Sequence, residues 1–154
     1  MQRWESQNGC ALPRPVCFEG DVSEPFLGLD GDARAWISEH CRSLLHSAAT
    51  LTFEEDASGE PWRTNVGGTK NVIDFCQATG IRELHYVSTA YVCGLRQDLV
   101  YEDQLDCGQG FRNDYEKSKL VAEKLVRSAE CLDDVTVYRP AVIAGDSVTG
   151  YTNT

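Results

Sequence analysis

The sequence predicts a single α/β domain built around a parallel sheet. Short apolar runs alternate with helical patterns along the chain, which is typical of strand–helix–strand units. The run VTVYRPAVIAG at 135–145 is rich in the β-branched residues that suit buried strands. The 154 residues are enough for one ordinary domain with a buried core.

Four stretches are predicted to be strands, at 15–21, 42–49, 82–92 and 135–145. The first is short and ends in a turn. The third, RELHYVSTAYV, places the hydroxyls of Ser88 and Thr89 near the carboxyl end of a parallel strand. Open α/β sheets bind their ligands at that edge, so the two hydroxyls are candidates for a functional site.

The best-formed helix is predicted from Pro61 to about Thr79, because proline suits a first helical position and Gly80 is a typical stop. Gly67 and Gly68 lie inside it at a cost of about 1 kcal/mol each relative to alanine, which favours close packing as their explanation, ahead of ligand contact. Its sheet-facing residues are predicted from their spacing to be Trp62, Val66, Thr69, Ile73 and Cys76.

A second helix is predicted to begin near Asn113, where Asn113 and Glu116 resemble a capping box. Tyr115 and Lys119 lie one turn apart and therefore share a face, which Ala122 continues toward the sheet. A lysine that points toward a sheet beside a tyrosine requires an explanation, and chemistry is one.

Composition excludes several classes of function. The formal net charge of −10 argues against a surface for nucleic acid or for anionic membranes. No apolar run approaches the roughly 20 residues that span a bilayer, and the N-terminus lacks the apolar stretch of a secretory signal, so we expect a cytoplasmic protein. The seven cysteines contain no C-x-x-C pair and the three histidines show no ligand spacing, so we expect no metal site.

The pair Tyr115 and Lys119 suggests proton transfer. A phenol has an ordinary pKa of about 10, and a nearby ammonium is expected to lower that pKa. The hydroxyl of Thr89 or Ser88 would hold a substrate oxygen where negative charge develops, while a nicotinamide carries the hydride. The spacing alone is weak evidence, because six tyrosines and four lysines in 154 residues give about 0.16 such matches by chance. Its position after the third strand is what strengthens it.

Taken together, VSTAYVCG at 87–94 and YEKSK at 115–119 resemble the extended branch of the short-chain dehydrogenase/reductase superfamily. The resemblance implies a Rossmann-like, doubly wound parallel sheet and a bound NAD or NADP. It also implies that Thr89, Tyr115 and Lys119 are catalytic, with Ser88 as a second candidate hydroxyl.

The same resemblance implies a set of cofactor-binding positions. Asp21 remains nearly as compatible with a plain turn, and Asn65 with an interior helix residue that bonds to nearby backbone. The positions implied are Asp21, Val22, Ala48, Ala49, Asn65, Tyr115, Lys119, Pro140, Ala141 and Val142.

Within the superfamily, the stretches GDVSEPFLGL, HYVSTAYV and RPAVIAGDSVTG are most similar to the thioester reductase and fatty acyl-CoA reductase group. That similarity implies reduction of a small-molecule or carrier-bound acyl thioester with NADPH, NAD being possible. A sugar-nucleotide epimerase or dehydratase is the enzymatic alternative. A catalytically dead interaction module is the alternative from a different class.

The sequence lacks the opening part of the family pattern, a strand followed by G-x-x-G-x-x-G and a helix that holds the pyrophosphate. We therefore expect a partial domain over 1–154 that begins at the family's third strand, lacks its first two strands and glycine-rich loop, and lacks a substrate-binding C-terminal region. Such a fragment is expected to bind dinucleotide poorly. Nothing in the sequence indicates the oligomeric state.

Overall fold

The computed structural model describes residues 9, 11, 14–142 and 145–150 and shows a three-stranded parallel sheet. Its strands are β1 (Ser43–His46), β2 (Glu83–Val87) and β3 (Asp134–Tyr138), in the spatial order β1-β2-β3. The predicted α/β class with parallel pairing is therefore confirmed. In register, Leu44 lies beside Leu84, which lies beside Val135.

In the part of the chain that the structure describes, three α-helices accompany the sheet: α1 (Gly31–His40), α2 (Thr69–Thr79) and α3 (Asp114–Arg127). Strands that follow one another in a sheet through right-handed crossovers place their connecting helices on one face. Helices α2 and α3 accordingly cover the same face of the sheet. Within the described residues, no helix combines the length and the apolar character needed to cross a membrane.

The core lies between that face and the two crossover helices. Side chains alternate along a strand, so every second residue of β2 points toward the helices. Leu84 and Tyr86 of β2 are accordingly almost fully buried, whereas Leu45 on the opposite face of the sheet is well exposed. The buried cluster consists of Val72, Cys76, Ile81, Leu84, Tyr86, Ala122 and Val126.

The strand prediction for 15–21 was wrong. A strand needs a neighbouring ladder, and within the described residues no strand pairs with this segment. It ends instead in a turn that is closed by a hydrogen bond from Asp21 N to Leu27 O (2.9 Å). Its neighbour in sequence is a short 3₁₀ segment, Pro25–Gly28, which packs on α2.

The other three strands are shorter than predicted, for local reasons. Strand β2 ends at Val87 because Thr89 begins a 3₁₀ turn over Ala90–Cys93. Strand β3 ends at Tyr138, just before Pro140, which has no N–H to donate to a ladder. Residues 143 and 144 of the predicted fourth strand lie outside the described residues.

Helix α2 follows a wider, π-helical turn at Arg63–Gly68, two residues after the predicted start, and ends before left-handed Gly80 (φ 75°) as predicted. A π turn holds one more residue than an α turn, so it shifts the face that follows. Buried positions therefore include Val72 and Phe75, while Ile73 of the predicted stripe is only half-buried. Gly68 packs closely, since a Cβ there would lie 3.1 Å from a Val22 methyl.

Helix α3 begins as predicted, with Asn113 as its cap. The Asn113 side chain accepts a hydrogen bond from Glu116 N (2.9 Å). The Glu116 carboxylate reaches back one residue further than a standard capping box requires and accepts from Arg112 N (3.0 Å). The first turn is therefore closed from both sides, which fixes the orientation of Tyr115.

A buried carboxylate fastens α3 to the carboxyl ends of β2 and β3. Glu123 is 0% exposed and accepts hydrogen bonds from Ser88 Oγ (2.7 Å), Arg127 Nε (2.8 Å) and Arg139 Nη2 (2.7 Å). Hydrogen bonds from Arg139 and Ser88 hold the pKa of Glu123 below its ordinary value despite its burial. A buried charge is tolerated only when it is paired and hydrogen-bonded in this way.

We predict that Arg139→Met lowers the free energy of unfolding by about 3–5 kcal/mol, because it leaves the Glu123 charge buried without its main partner. The measurement is urea unfolding at neutral pH. The matched control is Arg82→Met, which breaks an exposed ion pair with Asp133 and should cost about 1 kcal/mol or less. If both variants lost the same free energy of unfolding, the result would contradict the role of Glu123 in holding α3 against the sheet.

Candidate active site

The two hydroxyls that follow β2 are in different situations. Ser88 is buried and donates its hydroxyl proton to Glu123. The structure therefore uses Ser88 to fasten α3, and its proton is not available to a substrate, which argues against the predicted catalytic role. Thr89 Oγ1 accepts from Tyr91 N (3.2 Å) in the 3₁₀ turn and keeps its own proton to donate.

Lys119 is buried in the space between α3 and β2. The residue is 3% exposed, and its Nζ donates to Val87 O (2.8 Å) and lies 4.6 Å from the centre of the Tyr86 ring. Burial disfavours the charged form and lowers the pKa of Lys119 to about 8, with the nearby Glu123 acting in the opposite direction. The amine therefore titrates close to physiological pH.

Tyr115 lies one turn before Lys119 at the open end of α3 and is half-buried. Burial raises the pKa of the Tyr115 phenol, and the Thr89 hydroxyl beside it acts in the opposite direction. The sequence predicted a lowered pKa through Lys119, which was wrong in this structure because the burial of the phenol outweighs the effects that lower its pKa.

The structure thus brings together the three groups on which the sequence interpretation depends. The Thr89 hydroxyl lies beside the Tyr115 phenol and lowers its pKa through a hydrogen bond. Lys119 lies one helical turn further along α3, on the same face. Tyr115 also lines a cavity of about 380 Å³ at this edge of the sheet. A small acyl or carbonyl compound fits such a volume.

A layer of neutral polar groups lies beneath Lys119. Thr69 Oγ1 donates its proton to Asn65 O (2.6 Å). His46 Nε2 lies 3.1 Å from Thr69 Oγ1 and must therefore be the donor in that contact. His46 therefore carries a proton on Nε2, and its lowered pKa keeps the ring neutral at pH 7. Burial, helped by the Lys119 charge, lowers the pKa of His46 to about 4. Because the imidazole is neutral, Lys119 has no repulsive positive charge at His46.

Several of the residues implied for cofactor binding lie along β1. A cleft of about 670 Å³ runs beside the edge of β1 that does not pair with β2, and Asp21, Val22 and Ala48 line it. Ala48 and Ala49 are exposed just beyond the strand. The Asp21 carboxylate accepts from Ser23 N (2.8 Å) and Ser23 Oγ (2.7 Å), so it forms the plain turn that remained open as an alternative.

Asn65 does not face the cleft. It is 1% exposed, and its amide accepts from Thr50 N (3.0 Å) and donates to Thr50 O (3.2 Å) and to Ser118 Oγ (3.0 Å). These bonds join the chain after β1 to the start of α2 and to α3. The structure supports the alternative given above, an interior residue that orders its neighbours, and its amide offers no group to a cofactor.

Pro140, Ala141 and Val142 continue from β3 alongside the segment after β2. Ala90 N donates to Pro140 O (3.0 Å), so the two segments reach the sheet's edge side by side. Ala141 and Val142 are exposed there. This position is compatible with the predicted contact to a nicotinamide, which stays a prediction.

Sequence reasoning missed two features of the site. The first is the buried pair of Glu123 and Arg139. The four-residue spacing of Lys119 and Glu123 was an available signal, because it puts a second charge on the inward face. The second is Phe53, which contacts Tyr115 and precedes it by 62 residues with no motif around it.

Comparison with known proteins agrees with this geometry. The family model described as Male sterility protein, an NAD-binding family, matches residues 2–154. Fatty acyl-CoA reductase wat of Drosophila melanogaster is 30% identical over 152 residues, which cover 82% of this chain and 29% of the fly protein. The chain therefore spans less than a third of that relative.

Two solved structures share the fold. The terminal R domain from the myxalamid PKS-NRPS biosynthetic pathway is 34% identical, with a TM-score of 0.69 over 83% of this chain and 33% of that one. RMD from Pseudomonas aeruginosa, solved with NADPH, is 22% identical, with a TM-score of 0.65 over 94% of this chain and 50% of that one. The predicted Rossmann-like fold is thereby confirmed. The chain belongs to the NAD-binding male sterility protein family, which comprises the thioester and fatty acyl-CoA reductase-like members of the extended short-chain dehydrogenase/reductases.

Proposed function

We propose that the site around Tyr115 reduces an acyl thioester to an aldehyde with a nicotinamide cofactor, NADPH by preference. The observation that carries the proposal is the convergence of a half-buried phenol, a threonine hydroxyl beside it and a buried amine one turn away. The names of the relatives support the substrate class, since one is a fatty acyl-CoA reductase.

The residues present fit part of a dinucleotide. Small, exposed Ala48 and Ala49 leave the backbone after β1 open to a flat ligand, and the cleft beside Asp21 continues from them. When bound, the nicotinamide supplies a hydride to the thioester carbonyl carbon. Because the sequence contains no G-x-x-G-x-x-G motif, we propose that this chain binds the cofactor weakly.

The chain's own groups act on the thioester oxygen. Thr89 donates its hydroxyl proton in a hydrogen bond to the oxygen as negative charge develops there. Tyr115 then gives its proton to that oxygen, and loss of the thiol from the tetrahedral centre yields the aldehyde. The raised pKa of Tyr115 suits an acid, because the phenol is protonated at neutral pH before the substrate arrives.

Lys119 acts on Tyr115 through its charge. At pH 7 an amine with a pKa of about 8 is mostly protonated, and it stabilises the phenolate that remains after the proton is transferred. The bond from Nζ to Val87 O fixes the distance of this charge from the phenol. Lys119 is on this account a positioning and electrostatic group rather than the proton donor.

We predict that Tyr115→Phe lowers the rate of octanoyl-CoA-dependent NADPH oxidation by about 10²–10⁴-fold, because it removes the general acid and keeps the ring. The assay uses millimolar NADPH to offset weak binding and identifies the aldehyde product directly. Tyr101→Phe, at an exposed position away from the site, is the control and should leave the rate unchanged. Full activity in Tyr115→Phe, or turnover of a nucleotide sugar in place of the thioester, would contradict the proposal.

A second prediction concerns the protonation of Lys119. In ¹³C NMR of labelled lysine side chains, one resonance should titrate near pH 8 and be missing from Lys119→Met. Its ordinary pKa is 10.5, so the unfolded chain holds more protons than the folded one between about pH 8 and 10.5. The free energy of unfolding should therefore rise with pH across that range, by at most about 3 kcal/mol.

The Lys119→Met variant should lack that rise. Lys117→Met, which removes an exposed lysine two residues away, is the matched control and should keep it. The reduction rate of the unaltered chain should be highest below pH 8 and fall above it as Lys119 loses its charge. If every lysine resonance titrated with a midpoint near pH 10.5, that result would contradict the burial of the Lys119 amine.

A further inference from the structure

The cavity beside Tyr115 has a composition that its predicted chemistry does not explain. It measures about 380 Å³ and is bounded by three aromatic rings, Phe53, Tyr91 and Tyr115, together with Arg112, Asn113 and Glu116. We refer to it as the aromatic hollow. Phe53 and Tyr91 are both exposed.

The polar groups of the aromatic hollow are already paired with one another. The Arg112 guanidinium lies 3.3 Å from the Glu116 carboxylate, which also accepts from Arg112 N. The Asn113 side chain caps the helix at Glu116 N. Arg112 is already paired with Glu116, and Asn113 caps the helix, so the hollow offers a ligand the faces and edges of the three rings, which favour apolar groups, with one paired guanidinium at its border.

The segment that carries Phe53 is fastened to the start of α3 through its backbone. Phe53 O accepts from Asp114 N (2.8 Å) and from Tyr115 N (3.3 Å), and Glu55 N donates to the Asp114 carboxylate (3.0 Å). The Phe53 ring meets the Tyr115 ring edge-on, with centroids 6.0 Å apart and planes at 88°. The ring is nevertheless 59% exposed, so it stands at the mouth of the hollow without being part of the core.

We propose that the aromatic hollow binds the apolar acyl segment adjacent to the reacting carbonyl, and that Phe53 sets the acyl length the site prefers. The substrate class rests on the proposed function, whereas the position of the subsite rests on the contacts above. An acyl chain lying along the Phe53 ring would bring its carbonyl oxygen to the Tyr115 phenol, which borders the same cavity. A two-carbon acyl group is too short to reach the Phe53 ring and gains little from it.

The test is a comparison of binding, without cofactor, so that no reduction takes place. The probes are octanoyl and acetyl thioesters of N-acetylcysteamine, and binding is followed by NMR shifts of the aromatic side chains. We expect the unaltered chain to bind the octanoyl probe about tenfold more tightly than the acetyl probe. Phe53→Ala should reduce that preference by about five- to tenfold while keeping the segment in place, because the docking bonds come from the backbone.

The matched control is Tyr101→Ala, which removes a ring of the same 59% exposure from outside the hollow and should leave the preference unchanged. Phe53→Trp, which narrows the mouth, should instead shift the preference toward the acetyl probe. An unchanged preference in both Phe53 variants, or an equal loss in Tyr101→Ala, would overturn the proposal. Equal affinity of the unaltered chain for the two probes would do the same.

The outcomes also separate this inference from the proposed function. If Phe53→Ala abolishes the length preference but the unaltered chain reduces no thioester, the proposed acyl site in the aromatic hollow is supported and the reductase proposal is contradicted. If thioesters are reduced but the preference for acyl length does not depend on residue 53, the reductase proposal is supported and the proposed acyl site is contradicted. Urea unfolding midpoints of all three variants confirm that the compared chains are folded.

Discussion

The arrangement of the site depends on one constraint: α3 buries Ser118, Lys119 and Glu123 against the rest of the domain, and each must find a hydrogen-bond partner there. Ser118 bonds to Asn65, Lys119 to the carbonyl of Val87, and Glu123 to Arg139 and Ser88. If one of these groups were buried without a hydrogen-bond partner, the protein would lose more stability than if that group were replaced by an apolar side chain. The helix therefore has a single rotation about its axis that satisfies all three, and this rotation places Tyr115 at the edge of the sheet.

The same constraint explains the division of labour between neighbouring residues. Ser88 and Thr89 are consecutive residues just after β2, and their side chains have different partners, Glu123 for Ser88 and the Tyr115 phenol for Thr89. Lys119 is buried beyond the reach of solvent, yet its carbonyl partner and the Tyr86 ring stabilise the charge that it keeps at neutral pH. Structural and chemical groups are thus interleaved, which makes single substitutions here affect folding and reactivity together.

Local patterns in the sequence were sufficient to predict the parts of the fold that local forces determine. Asn113 as a cap, Gly80 as a stop and the inward face of α3 follow from short-range hydrogen bonding and periodicity. The segment 15–21 could not be predicted in this way, because a strand is made by its neighbour rather than by its own residues. The buried face of α2 was predicted only in part. Thr69 and Cys76 are buried as expected, whereas the π turn before α2, which leaves no simple signature in residue spacing, brings Val72 and Phe75 inward.

Within the site, the pairing of Tyr115 with Thr89 could be predicted, since the ends of parallel strands and the following helix meet at one edge. The direction of the phenol's pKa could not, because it depends on how deeply the phenol is buried, and the segments that cover it are distant in sequence. Phe53 was invisible for a similar reason. Its contact with α3 is made by a main-chain oxygen that every residue type possesses.

That last feature has an evolutionary consequence. Because the segment is attached by its peptide group, the side chain at position 53 is free to change without disturbing the helix on which Tyr115 stands. Under the proposed role of Phe53, a substitution at this position changes the acyl length that the site prefers and leaves Thr89, Tyr115 and Lys119 unchanged. Related sequences that carry another residue at position 53 are therefore expected to prefer acyl chains of other lengths.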